Sequence, residues 1–180
     1  MRVSKVVHFV CFETSLNIEQ FLKRWEEYSP SINSARNVTL QQSEKNGTFH
    51  YIAQHYCVPG ELHFVFTKPA RSSRIPREKI KTKHVGGYSV LQSESTEDMH
   101  ANESKIFAFI IYPETDLNGY RQLATYNKLN IYEAYYENCE YAYILEFFVK
   151  STHIKELVLQ LKHHNVAEIG IYQEFVPEIA

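Results

Sequence analysis

Apolar residues along this chain recur with two different spacings, and the pattern switches from one to the other several times. Val6 to Phe12 and Ile106 to Tyr112 are unbroken β-branched and aromatic runs of strand length, which predicts central strands covered on both faces. Behind the first run, Ile18, Phe21, Leu22 and Trp25 fall at i, i+3, i+4 and i+7, so one face of a helix is apolar. Asn17 ahead of them, with Gln20 three residues on, supplies a reciprocal cap for that helix. Asn118 offers the same cap before Tyr120, Leu123 and Ala124, a weaker stripe that predicts the corresponding helix in the second half.

Hairpins follow both helices. Val38 to Gln42 and Thr48 to Cys57 flank Glu44-Lys45-Asn46-Gly47, where Asn-Gly tolerates the positive φ of a tight turn. Ile131 to Tyr136 and Tyr141 to Val149 flank Glu137 to Glu140 in the same way. Ser151 or Thr152 then caps a helix carrying Ile154, Leu157, Val158 and Leu161, and His163-His164-Asn165 closes it before a strand from Glu168 to Phe175. In the first half the matching segment, Ser73 to Lys83, has only Ile75 and Ile80 as apolar contacts and makes a poor helix. Residues 86–94, opening on Gly86-Gly87 ahead of Tyr88, Val90 and Leu91, read as the closing strand.

The two halves also match in sequence. Lys5 to Phe12 aligns with Lys105 to Tyr112, and the pentad Glu-Thr-x-Leu-Asn at Glu13 recurs at Glu114, 101 positions later. Leu62 to Lys68 matches Ile144 to Lys150, and His84-Val85 with Gln92 matches Asn165-Val166 with Gln173, at offsets of 82 and 81. The blocks keep their order, which points to duplication. The polar, aperiodic stretch from Ser95 to Ser104 reads as a linker, giving a first repeat over residues 1–94 and a second over 105–180.

The β-α-β-β-α-β order is that of the ferredoxin-like unit, an antiparallel sheet with both helices on one face. Two such units have two bare sheet faces, and packing these on each other covers both. The expected fold class is therefore α+β, with two tandem ferredoxin-like units packed sheet to sheet as a single-chain α/β barrel. By element order, the Lys-x-x-x-Phe strand and the Glu-Thr-x-Leu-Asn repeat, the chain resembles the dimeric α/β-barrel superfamily over nearly its whole length. That superfamily includes antibiotic-biosynthesis-type monooxygenases, haem-degrading enzymes, EthD-like proteins, stress-responsive barrel proteins and many small-molecule binders. The haem-degrading members carry an Asn-x-x-x-His-x-x-x-Trp-like set on one helix; here Asn17 and Trp25 share a helix with no histidine between them.

Composition narrows the function classes. With 19 basic and 21 acidic residues the formal net charge is −2, and 44% hydrophobic content is ordinary for a folded protein with a real core. No uncharged apolar run approaches the roughly 18 residues needed to span a bilayer, so a cytoplasmic location and no membrane partner are expected. Cys11, Cys57 and Cys139 are widely spaced without a CxxC, which predicts free thiols. No Gly-rich phosphate loop, GxSxG or HExxH is present, so no cofactor and no metal are expected, and classical nucleotide and serine hydrolases are disfavoured.

The excess of 13 Tyr, 11 Phe and nine His suits thick sheet packing or a ligand cavity. In the repeat alignment His8 faces Ala108 and His63 faces Leu145, so both positions depart from a purely structural pattern. The first and third strands of a ferredoxin-like sheet are neighbours, which puts His8 and His63 together as candidate catalytic acid/base groups. His50, His55, Tyr56 and Glu146 are candidate ligand-binding residues; His50 and Tyr56 fall on one face of the hairpin strand and His55 on the other. Glu146, aligned with Phe64, is a lone acid in an apolar strand that either lines the inter-sheet space or faces solvent at an edge. From Lys68 to Lys83, seven basic residues stand against Glu78 alone, and Arg71, Arg74 and Arg77 are candidates for phosphate or an acidic partner.

Two functional readings follow. The first is a protein that holds a small aromatic or hydrophobic molecule between its sheets, as a cofactor-independent monooxygenase- or isomerase-like enzyme or as a binder. The alternative is a non-catalytic interaction protein using the basic 68–83 segment to engage nucleic acid or an acidic partner, nucleic acid being the less favoured. Free strand edges would add a homodimer.

Overall fold

The computed structural model describes residues 6–28, 36–43, 47–57, 80–94, 103–123, 128–137 and 139–175. Among these residues eight strands form one antiparallel sheet: β1 (Val6–Thr14), β2 (Arg36–Gln42), β3 (Tyr51–Cys57), β4 (Ile80–Gln92), β5 (Glu103–Ile110), β6 (Lys128–Ala134), β7 (Tyr143–Lys150) and β8 (Glu168–Glu174). They hydrogen-bond in the order β1-β3-β2-β8-β5-β7-β6-β4, and β4 returns to β1, so the sheet closes into a barrel. Helices α1 (Ile18–Tyr28), α2 (Asn118–Leu123) and α3 (Ile154–Lys162) lie outside it, making the architecture α+β. Closure leaves every described strand with two neighbours, though β2 and β8 pair over only three residues, Leu40 to Gln42 against Glu174 to Tyr172.

Strand alternation divides the core into layers. Val7, Phe9 and Cys11 point into the barrel with Phe107, Phe109, Tyr88, Tyr132 and Tyr172, while Val10 and Phe12 point outward against Phe21 of α1. In the second half Ile106, Ala108 and Leu145 point outward against Leu157 and Leu161 of α3 and Leu117 and Tyr120 of the α2 region. Strands buried on both faces need apolar residues at every position, which is why β1 and β5 read as unbroken hydrophobic runs.

The predicted cap of α1 forms in both directions: the Gln20 amide donates to Asn17 Oδ1 at 2.9 Å and the Asn17 amide to Gln20 Oε1 at 3.3 Å. The other helix starts differ from expectation. Asp116, not Asn118, caps α2 by accepting the Asn118 amide at 2.9 Å, and the described part of α2 runs to Leu123. Neither Ser151 nor Thr152 caps α3; both belong to a 3-10 turn, Ser151–His153, that leads into it without a side-chain cap. Strand β4 starts at Ile80, within the segment expected to be a poor helix, because Ile80, Lys81 and Thr82 pair with Thr14, Glu13 and Phe12 across a bulge. Strand β5 starts at Glu103, inside the expected linker. The Glu44–Asn46 turn and most of the Ser73–Lys83 segment lie outside the described residues.

The register reveals an internal two-fold relation. Phe9 faces Gln54 and Gly86 on its two sides, and Phe107 faces Glu146 and Gly170, so β1, β3 and β4 correspond to β5, β7 and β8 at offsets of 98, 92 and 84. Strand β2 corresponds to β6 at the same offset of 92, since Leu40 faces Ile52 and Tyr132 faces Ile144. Tyr88 of the first half donates to the Tyr141 carbonyl of the second at 3.1 Å, and Tyr172 of the second donates to the Phe49 carbonyl of the first at 2.8 Å. Tyr141 and Phe49 are themselves 92 positions apart. Both tyrosine rings lie over a glycine two residues earlier: a Cβ on Gly86 would stand 2.8 Å from the Tyr88 ring, and one on Gly170 would run into the Tyr172 ring.

Candidate functional site

Of the four histidines singled out from the sequence, three lie among the described residues. His8 lies on the outward face of β1, beside His55 of β3, the two rings stacked at 5.8 Å between centroids. Both are 2% exposed. Burial, with the neighbouring His55 and His84 adding to it, holds His8 at about 3, and burial holds His55 at about 4, so both rings are neutral at pH 7. His50 uses Nδ1 to accept the Thr14 amide at 2.9 Å, fastening the end of β1 to the start of β3. His63, Arg71, Arg74 and Arg77 lie outside the described residues.

The register also revises the repeat alignment. The strand equivalent to β7 is β3, so Tyr51-Ile52-Ala53-Gln54 corresponds to Tyr143-Ile144-Leu145-Glu146, and His8 corresponds to Ile106. The alignment of Leu62–Lys68 with Ile144–Lys150 had matched the second half to a segment past the strand that pairs with β1. Glu13, which opens the first copy of the repeated pentad, pairs with Lys83 at 3.2 Å, and that contact lowers its carboxyl below the ordinary range.

Glu146 and Tyr56 face the interior of the barrel, and around Glu146 stands a polar cluster fed by both halves. Glu146 is fully buried. Its Oε1 accepts from Asn130 Nδ2 at 2.9 Å and from the Tyr132 hydroxyl at 3.0 Å; its Oε2 accepts from Gln54 Nε2 at 2.9 Å and stands 3.5 Å from Lys105 Nζ. Lys105 in turn lies 3.9 Å from Glu174 and 5.1 Å from the centroid of the Phe148 ring. Burying a charge costs several kcal/mol in general, and here each carboxylate oxygen is met by two donors, the arrangement that makes such burial tolerable.

Hydrogen-bond directions follow from proton counts. The Tyr132 proton goes to Glu146, so across the 3.4 Å contact it is the Tyr56 hydroxyl that donates to Tyr132. Burial first, then the Glu146 charge, pushes the Tyr132 phenol well above its ordinary range and keeps it a donor. The result is a chain of three groups, Tyr56, Tyr132 and Glu146, leading from half-buried Tyr56 to the buried carboxylate. Asn130 is held from its other end, where Oδ1 accepts the Glu94 amide at 3.0 Å.

Sequence reasoning singled out Tyr56 and Glu146 but missed Gln54, Lys105, Asn130, Tyr132 and Glu174 as a group. The signal was available: with the register corrected, Lys105, Asn130, Glu146 and Glu174 stand where the first half has Val7, Val38, Gln54 and Val90. The polar set is a property of one copy and not of the fold.

At the opposite end of the interior, His84 Nε2 lies 2.9 Å from the Tyr88 hydroxyl. The Tyr88 proton is committed to Tyr141, so His84 donates. Burial keeps His84 at about 4, hence neutral. Between the two ends the centre is occupied by rings: Phe9 meets Tyr132, Tyr88 and Phe107 edge-on at 5.0, 5.4 and 6.2 Å. Among the described residues no group of three or more histidine, cysteine, aspartate or glutamate side chains is placed to hold a metal ion, and no helix is long and apolar enough to cross a membrane.

No family model matches this chain, and no curated protein matches it. Solved structures do. A mutant chlorite dismutase from Candidatus Nitrospira defluvii superposes with a TM-score of 0.60 at 9% identity, covering 98% of this chain and 93% of that one. The same enzyme in complex with imidazole gives 0.57 at 9% identity, over 96% and 92%. A further chlorite dismutase-like protein gives 0.61 at 5% identity, over 97% and 96%. At such identities the likeness is one of fold alone: this chain and those structures share a barrel of antiparallel strands with helices outside it.

Proposed function

We propose that this chain is a small-molecule-binding barrel made of two ferredoxin-like units fused in one polypeptide, with its ligand at the end of the interior lined by Gln54, Tyr56, Tyr132 and Glu146. The observation that carries this reading is the asymmetry between the copies. A Lys, an Asn and two Glu are buried or half-buried in the second half where the first uses apolar residues or an amide on the same scaffold. Because the first half folds without them, their cost points to a role outside folding.

Among the described residues rings fill the centre, which leaves the half-buried Tyr56 end for a small aromatic or otherwise hydrophobic molecule. The chemistry open to that end is proton movement along Tyr56, Tyr132 and Glu146, which suits cofactor-independent oxygenation or isomerisation of the ligand. A neighbour solved with imidazole bound supports the barrel as a host for small molecules. The test is native against denaturing mass spectrometry of the purified full chain. A small molecule retained on wild type and absent from Glu146→Leu supports the reading; wild type and variant carrying the same retained mass would refute it.

A further inference from the structure

Gln54 and Glu146 are equivalent positions of the two halves that bond to each other, so the internal two-fold axis passes through their contact, beside the equivalent pair Phe9 and Phe107. Two identical carboxylates could not sit there without a proton or a cation between them; one amide and one acid can. That solution fixes the amide. With Nε2 turned to the Glu146 carboxylate, Gln54 Oε1 must point the other way, toward the first half.

The two sides of the axis treat their outward oxygens differently. Glu146 Oε1 is met by Asn130 and Tyr132. The positions that would meet Gln54 Oε1 by the same symmetry are Val38 and Leu40, which have no donor. Gln54 is fully buried, and its Oε1 accepts no hydrogen bond among the described residues. A buried acceptor left unpaired is costly and is rarely retained without a partner from outside the chain. The charged side chains of the cluster are Lys105 against Glu146 and Glu174, so the site as a whole disfavours an anion.

We propose that Gln54 Oε1 receives an N–H or O–H of the bound molecule, which makes the ligand class an uncharged small aromatic carrying one hydrogen-bond donor, such as a phenol or an N–H heterocycle, and not a carboxylate. This rests on the reading of the barrel end as a ligand site and narrows it. Apolar side chains of the barrel interior take the ring, and Gln54 Oε1 takes the donor.

The experiment is ligand-observed NMR titration of the full chain with three one-ring probes, namely phenol, anisole and benzoate, repeated on Gln54→Met with circular dichroism as the check on folding. Phenol binding at least tenfold tighter than anisole, no benzoate binding, and loss of the phenol preference in folded Gln54→Met are the expected results. A second variant, Gln54→Glu, keeps an acceptor but adds a charge next to Glu146, and is expected to lose phenol as well. Equal binding of phenol and anisole by wild type overturns the donor assignment while leaving the small-molecule reading intact. Failure of all three probes to bind overturns both.

Discussion

The two halves of this barrel share register, strand order and even a reciprocal pair of tyrosine hydrogen bonds, yet they carry different chemistry on both faces. At one set of register positions, Val7, Val38, Gln54 and Val90 of the first half become Lys105, Asn130, Glu146 and Glu174 of the second. Outside, His8 and His55 become Ile106 and Phe147. Where both copies agree, the residue serves the fold; where they part, one copy shows what the fold does without. The outer histidines and the inner charges are thus two separate departures, and each can be removed by writing in the residue of the other half.

The outer pair gives the largest effect. Folded His8 and His55 titrate near 3 and 4, below the unfolded value near 6.5, so between those limits the unfolded chain binds more protons. Stability is therefore complete above about pH 6.5 and falls as the pH drops, by about 1.4 kcal/mol per pH unit for each histidine, levelling off near pH 3 to 4. Urea unfolding at a series of pH values is expected to show this slope in wild type and to show it flattened in His8→Ile/His55→Phe; an unchanged slope would place the acid sensitivity elsewhere.

Removing one member of the inner set comes next. Glu146→Leu strands Lys105 in the interior with only Glu174 at 3.9 Å, and a loss of about 3–5 kcal/mol in chemical denaturation is expected. The paired glycines sharpen the likeness of the halves. Gly86→Ala and Gly170→Ala should each cost about 1–3 kcal/mol, since the added methyl displaces a tyrosine ring and its cross-barrel hydrogen bond, and Gly170→Ala, the closer approach, should cost more. The smallest effect separates the helices: Asn17→Ala loses a working capping box and about 1 kcal/mol, while Thr152→Ala, at a residue that makes no cap, should leave the thermal midpoint of unfolding unchanged.

Much of the fold was legible because it is written in short-range pattern. The β1 and β5 runs, the stripe and cap of α1, and the six-element order of the second half need only periodicity. A likeness between the two halves was legible too, but its register was not. The Leu62–Lys68 block resembles β7 in composition, whereas Tyr51-Ile-Ala-Gln against Tyr143-Ile-Leu-Glu matches it in place, and only strand pairing decides between them. That slip of alignment sent the comparison of copies to His8 and His63 and away from Lys105 and Asn130. The parity of β1 was also beyond sequence reach, since a run with apolar residues on both faces does not say which face looks inward. The caps of α2 and α3 failed for a local reason: Asp116 outcompeted Asn118, and Lys150 to His153 entered the helix through a 3-10 turn.

The central claim is that the inner polar set serves a ligand and not the fold, and it is tested most directly by writing the whole first-half set into the second. Lys105→Val, Asn130→Val, Glu146→Gln and Glu174→Val combined remove every charge of the cluster together and leave no charged partner stranded. Urea unfolding and phenol titration of this variant beside wild type should show a stability equal to wild type or up to about 1–4 kcal/mol higher, together with loss of phenol binding. A variant that fails to fold would make the cluster a structural latch, and one that folds and still binds phenol would put the ligand site elsewhere; either result contradicts the account.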